Sequence, residues 1–353
     1  MTPLFDVHRD LGATFTSFAG WRMPLRYQGD LAEHHAVRRA AGLFDLSHMG
    51  QLEVTGADAG RFLDYALVGR LSAIEVGRAR YTMLCHDTGG ILDDLVVYRL
   101  ADRRYLVVAN AANTAVVFAM LREHADGFHV TVRDASADWA LIAVQGPSAA
   151  SMLDPGPLRY YAIRPFSVAG RDVLLARTGY TGEDGFEVYC RPGDAVAVWR
   201  ALLDHGPTPA GLACRDTLRL EAGMALYGHE LSVRRTPLQA GLARLVDFSK
   251  RDFVGAAALR RQRDSAPVEV LAGLVTGSRR APRAGYQVLD PTTGAVAGAV
   301  TSGALSPTLG HPVAMAYVPP ALAEPGTRLA VDVRGTRVDA TVVQLPFYRA
   351  SQH

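Results

Sequence analysis

Gly89-Gly-Ile-Leu-Asp-Asp-Leu-Val-Val-Tyr98 reads as a turn followed by a buried β-strand that carries two adjacent carboxylates. Successive strand side chains point to opposite faces. Asp94 therefore shares a face with Val96 and Tyr98, and Asp93 with Leu95 and Val97. At least one carboxylate is aimed at apolar surroundings. An unpaired buried charge is costly, so such a group is hydrogen-bonded, shifted in its titration, or kept for chemistry. The alternative is that one Asp ties down the Asp87-Thr88-Gly89-Gly90 turn while the other reaches water. The strand by itself leaves both readings open.

Around this strand, residues 51–133 alternate in order. Gln51 to Thr55 is a strand, and Ala57 to Leu67 a helix with Phe62, Leu63 and Leu67 at helical spacing. Arg80 to Cys85, Ile91 to Leu100 and Tyr105 to Val108 are extended, Asn113 to Ala125 is helical, and Phe128 to Val132 closes the unit. Strand, helix, strands, helix, strand is the split β-α-β pattern of ferredoxin-like units. The pattern recurs at Leu141-Ile-Ala-Val-Gln-Gly-Pro-Ser-Ala-Ala, which resembles Leu52-Glu-Val-Thr-Gly-Ala-Asp-Ala as a strand entering a helix through glycine. Val173 to Arg177 and Gly185 to Tyr189 form a predicted hairpin, with a helix at 194–203 behind it. A linker rich in charge and proline, Arg260–Pro267, leads to short strands from Val270 onward with Gly and Pro turns, the signature of a small barrel or sandwich. The fold class is α+β.

Composition narrows the chemistry. The 353 residues are 49% hydrophobic and 20% charged, with a formal net charge of +2 and no basic block. This suits a globular chain of two or three domains whose main partner is not nucleic acid. No apolar run approaches a membrane span, and the amino terminus lacks a signal peptide's pattern, so a cytoplasmic location is expected. Of 37 basic residues only Lys250 is lysine, and it sits in the polar run Asp-Phe-Ser-Lys-Arg-Asp. A Schiff-base lysine needs an apolar pocket, so pyridoxal phosphate chemistry is not expected. Cys85, Cys190 and Cys214 are widely spaced and fit buried thiols in a reducing compartment. His34 and His35 follow Glu33 on a predicted helix over 30–41, where a solvated face is expected. No metal is expected.

Two further segments are dense in chemistry. Arg177-Thr-Gly-Tyr-Thr-Gly-Glu-Asp-Gly-Phe-Glu-Val-Tyr189 has three glycines in seven residues, which call for a tight exposed turn or a close approach to a ligand. Glu183 and Asp184 are expected in solvent. Glu187 lies between Phe186 and Val188 in a strand, facing either water or a pocket; in a pocket it would suit a ligand with two adjacent N–H donors. In the second segment, Gly211 to Gly223, Arg215, Arg219 and Glu221 interleave with Leu218, Leu220 and Ala222. A salt-bridge ladder on a helix accounts for this, and an arginine near an anionic ligand is the alternative. There is no phosphate loop or dinucleotide fingerprint, so no flavin domain is expected.

Together these stretches resemble the aminomethyltransferase, or T-protein, family of the glycine cleavage system. The matching residues are Thr2-Pro-Leu-Phe, Phe18-Ala-Gly-Trp-Arg-Met-Pro, Gly42-Leu-Phe-Asp-Leu-Ser-His-Met-Gly50, Gly89 to Tyr98, Val144-Gln-Gly-Pro147, Arg177 to Glu187, Arg215 to Gly223, Thr301-Ser-Gly303, Ser306-Pro-Thr-Leu-Gly310 and Pro346-Phe-Tyr348. The resemblance implies a three-lobed protein that binds tetrahydrofolate centrally. Its lobes would be 1–50 with 135–265, then the ferredoxin-like 51–134, then a barrel or jelly-roll over 266–353. It maps the catalytic carboxylate onto Asp94 and folate contacts onto Met49, Tyr81, Tyr98, Asn110, Tyr180, Glu187, Arg215 and Tyr348. The implied partner is a lipoylated carrier, the H-protein, bearing an aminomethyl group. A folate nitrogen attacks the methylene carbon, ammonia leaves, and methylenetetrahydrofolate and the dihydrolipoyl carrier remain.

The residue types agree with that chemistry. A pterin's amino group and ring N–H are adjacent donors for a carboxylate, tyrosines offer faces for its rings, and arginine suits an anionic tail. Two other functions are open within the superfamily: a folate-dependent demethylase of a small methylated donor, and a folate-binding scaffold without turnover. The scaffold branch normally carries a Lys-Gly-Cys-Tyr-x-Gly-Gln-Glu motif, which is absent here.

Overall fold

The computed structural model describes residues 1–350. The chain divides into two compact units: Met1–Leu84, Leu92–Arg215 and Ser249–Val254 make one, and Cys85–Ile91, Asp216–Phe248 and the chain from Gly255 on make the other.

The first unit holds two larger sheets. One has five strands in the order Ala79–Cys85, Ile91–Ala101, Arg104–Ala109, Gly50–Thr55, Thr131–Asp134. Helices Ala59–Ala66 and Thr114–Glu123 cover one face, where Leu52, Val54, Phe62, Leu63, Leu95, Val97, Val107, Val117 and Leu121 form an apolar core. The other sheet has six strands, with Gly42–Asp45 and Ala140–Gln145 beside Gly185–Cys190, Arg171–Ala176 and Ile163–Val168. Helix Ala195–Leu203 buries Val198, Trp199 and Leu202 against Ile142, Val144 and Val188 on it. The internal repeat read from the sequence has a physical basis at its glycines. Gly56 and Gly146 each end a strand with φ of +135° and +139°, and at each an added Cβ would run into a neighbouring backbone carbonyl.

In the second unit, six strands between Val270 and Val343 close into a barrel. Its interior is filled by small and branched side chains, among them Leu274, Val288, Val300, Ala316, Leu329, Val331 and Val342. The α+β class and the carboxy-terminal barrel are both observed.

Several local expectations are corrected. Arg260–Pro267 is not a free linker, because Ala256–Ser265 is helical and buries Leu259. The run Ala-Ala-Ala-Leu-Arg-Arg-Gln-Arg is made of strong helix formers, and the stop comes only before Pro267. His34 does not lie on a solvated face: it and Glu33 are buried, and Glu33 accepts from the backbone N–H of Tyr27, Gly29 and Gly211 at 2.6, 3.1 and 2.9 Å. Lys250 is buried despite its polar neighbours. Its Nζ donates to the carbonyls of Asp64, Leu67 and Gly69 at 2.6, 2.5 and 2.9 Å, so its three donors meet backbone. Arg219 and Glu221 do not form a ladder with each other. Arg219 bonds Glu230 at 2.9 Å and Ser302 at 2.8 Å, with Asp216 one turn away on its helix, while Glu221 accepts from Ser306 and Thr308.

Candidate active site

The two aspartates divide as the strand period requires, and each has partners. Asp93 is fully buried on the core face. Its Oδ2 accepts from the backbone N–H of Asn110 at 2.9 Å, and its Oδ1 accepts from the side-chain amides of Asn110 at 2.8 Å and Asn113 at 2.6 Å. Asp94 is half-buried on the opposite face. Its Oδ2 accepts from the Tyr81 hydroxyl at 2.9 Å and its Oδ1 from Asn110 Nδ2 at 2.8 Å. Neither carboxylate is spent on the Asp87–Gly90 turn. Burial raises the pKa of Asp94, against the pull of the Tyr81 and Asn110 hydrogen bonds. Burial, helped by the neighbouring Asp94 charge, brings Asp93 up to about 7. The Tyr81 hydroxyl, enclosed and facing Asp94, stays protonated well past its usual range.

Register places the other residues. Val96 pairs with Val108 and Gln51 with Val108, so the Asp94 face runs across three strands. Met49 directly precedes the strand whose Gly50 pairs with Ala109, the residue before Asn110. Tyr98 is on the same face as Asp94 and is buried; its hydroxyl meets Thr178 Oγ1 at 2.9 Å and donates to Glu187 Oε2 at 3.3 Å. Thr178 Oγ1 donates to the same carboxylate oxygen at 2.7 Å. Glu187 thus faces the Tyr98 side of its sheet, half-buried and hydrogen-bonded rather than free in water. The Arg215 guanidinium lies 4.8 Å from the Tyr180 ring centroid, and burial lowers its pKa. Tyr348 belongs to the second unit, where its backbone N–H donates to Glu221 O at 2.8 Å.

The glycine-rich segment approaches a side chain of the protein itself. An added Cβ at Gly179 or at Gly185 would overlap the Gln145 carboxamide. Gln145 is buried, donates to Thr178 O at 3.0 Å, and accepts from Thr181 Oγ1 at 3.1 Å. Two carboxylates expected in solvent are paired instead. Glu183 meets Arg38 at 2.9 Å with both side chains 4% exposed, and Asp184 pairs with Arg177 at 2.7 Å. The loop carries charge because its partners lie on distant segments.

Sequence reasoning missed Asn113, Thr178 and His48. Thr178 stood inside the quoted segment, and Asn113 three residues after Asn110, but only contact reveals their use. His48 is buried and its pKa falls to about 4, chiefly from burial, with Asp45 opposing and Arg215 adding to the shift. Among the described residues no group of three or more His, Cys, Asp or Glu side chains is arranged to hold a metal ion. No helix among them is long and apolar enough to cross a membrane.

The Asp94 face therefore carries a half-buried carboxylate hydrogen-bonded to Tyr81 and Asn110, and the buried Tyr98 on the same face reaches a second carboxylate, Glu187. Residues 4–250 match the family described as GCVT N-terminal domain, and residues 270–349 match the glycine cleavage T-protein C-terminal barrel domain. The chain is 60% identical to an aminomethyltransferase of Saccharopolyspora erythraea, over 99% of this chain and 98% of that one. It is 56% identical to an aminomethyltransferase of Streptomyces avermitilis, over 99% and 97%. The crystal structure of glycine cleavage system aminomethyltransferase T from Bartonella henselae superimposes with a TM-score of 0.93 at 40% identity, covering 99% of this chain and 98% of that one. The chain belongs to the glycine cleavage T-protein family, and its activity is aminomethyl transfer. These relatives favour that activity over the demethylase and scaffold alternatives.

Proposed function

We propose that the enzyme moves the methylene of an aminomethyl group, carried on the lipoyl arm of an H-protein, to tetrahydrofolate with release of ammonia. The observation that carries this reading is Asp94, held half-buried between Tyr81 and Asn110 on the sheet face that also bears Tyr98. Each of its oxygens accepts one donor, which leaves lone pairs to take a proton from the attacking folate nitrogen and to stabilise the positive charge that develops at the methylene. Glu187, oriented by Thr178 and Tyr98, suits the amino group and ring N–H of the pterin. Tyr81, Tyr98, Tyr180 and Met49 would line the ring-binding surface, Asn110 would touch the folate, and Arg215 would meet its anionic portion. Tyr348 completes the set by resemblance to the family. The same proposal covers three lobes, at 1–50 with 135–265, 51–134 and 266–353; the three larger sheets support their number. It also covers a cytoplasmic setting and the absence of metal, pyridoxal phosphate and flavin from the reaction.

The test is a coupled assay with tetrahydrofolate and glycine-loaded carrier that reads ammonia release. Asp94→Asn should fold and bind folate yet lose about two to four orders of magnitude in turnover. Near-normal turnover in that variant would remove Asp94 from the mechanism.

A further inference from the structure

The mechanism uses Asp94 and leaves its neighbour unexplained. Asp93 faces the apolar core beside Leu95 and Val97, where an ionised carboxyl is costly. A hydrophobic side chain would serve packing better there. What the carboxylate does instead is grip one residue twice: Oδ2 takes the backbone N–H of Asn110, and Oδ1 takes its side-chain NH2. The same NH2 group then reaches Asp94 Oδ1 at 2.8 Å. An asparagine amide presents either its nitrogen or its oxygen to a neighbour, and the two edges are alike in shape. With Asp93 accepting from it, and the Asp94 carbonyl oxygen adding a longer contact at 3.2 Å, the nitrogen edge is the one turned to Asp94.

Asn113 reinforces the grip at a cost to its own helix. It occupies the N-cap of Thr114–Glu123, a place where an asparagine side chain ordinarily satisfies a backbone N–H. Here it makes no capping bond and donates to Asp93 at 2.6 Å.

We propose that Asp93 is a positioning residue: through Asn110 it fixes a hydrogen-bond donor on Oδ1 of Asp94 and so sets the orientation in which Asp94 acts. This rests on the reading of Asp94 as the reacting carboxylate. Asp93→Asn preserves size but turns one acceptor into a donor opposite the donors of Asn110 and Asn113, so the clamp opens.

The experiment is a double-mutant cycle on kcat in the ammonia-release assay, with the KM for tetrahydrofolate and thermal unfolding measured alongside. Asp93→Asn should lower kcat by about tenfold or more in the wild-type background and by less than about twofold in Asp94→Asn. A loss of equal size in both backgrounds, or an unchanged kcat, overturns the proposal, since a residue serving only the fold would act whether or not Asp94 is present. If Asp93→Asn fails to fold, Asn113→Ala gives the same reading. It removes one of the three donors to Asp93, and a several-fold loss of kcat that vanishes in the Asp94→Asn background is expected. An unchanged kcat in Asn113→Ala, or a loss that persists in that background, overturns the proposal there. Full activity of Asp94→Asn alone would instead refute the underlying assignment of Asp94, a separate outcome.

Discussion

Gly179→Ala adds one methyl group at the point where the glycine-rich segment presses on Gln145. The new Cβ would overlap Gln145 Oε1, with Cδ and Nε2 at 2.7 and 2.8 Å, far inside contact distance. Gln145 cannot swing aside into water, because it is buried and an alanine Cβ at Gly185 would meet the same carboxamide from another side. Displacing it breaks the bond to Thr178 O and the bond from Thr181 Oγ1. Leaving such buried groups unsatisfied costs about 1–3 kcal/mol each, and overpacking adds about 1–3 kcal/mol, so a total near 3–5 kcal/mol is expected after partial relaxation. Because Thr178 also orients Glu187, folate binding should weaken with stability. Equilibrium urea unfolding measures the first effect and folate titration the second. The double variant Gly179→Ala with Gln145→Ala makes room for the methyl group and should recover about 1–3 kcal/mol of the loss, the overpacking share. A single variant within about 1 kcal/mol of wild type, or a double variant no better than the single, would refute the close-packing account.

Glu187→Ala should raise the folate dissociation constant by about tenfold or more, and calorimetric titration that finds it unchanged would remove Glu187 from the binding surface. His48 resists protonation in the folded state, with a pKa near 4 against about 6.5 unfolded, so its contribution is complete above about pH 6.5 and is lost as pH falls toward 4. Wild type minus His48→Gln stability should therefore fall by up to about 3 kcal/mol over that window, and parallel urea curves at both ends would count against it. Arg219→Met should cost about 3–5 kcal/mol, because Glu230, otherwise held by Arg219, Thr301 and the Leu226 N–H, keeps a buried charge without its cation. Restoring part of that loss by adding Glu230→Gln is the check, read by chemical denaturation.

Much of the architecture was legible because periodicity is local. Alternation placed the strands of 51–133 within a few residues, and the Asp93–Asp94 doublet declared two environments from strand geometry alone. Glycine count flagged the 177–189 segment but could not say what approached it. Ligand and protein side chain make the same demand on a missing Cβ, and the structure shows Gln145 at Gly179 and Gly185. Charge was read least well. Glu183 and Lys250 looked solvated because their chain neighbours are polar, yet each finds partners far away in sequence.

By itself the sequence determined the α+β class, a carboxy-terminal small barrel or sandwich, the family and the candidate carboxylate, since these depend on residue period and on motifs that stay contiguous along the chain. Only the tertiary structure decided how the doublet is shared. Asn110 and Asn113 reach Asp93 from 17 and 20 residues away, and Glu187 meets Tyr98 across 89. Hydrogen bonds depend on where folding brings donors and acceptors, and no local pattern encodes that distance.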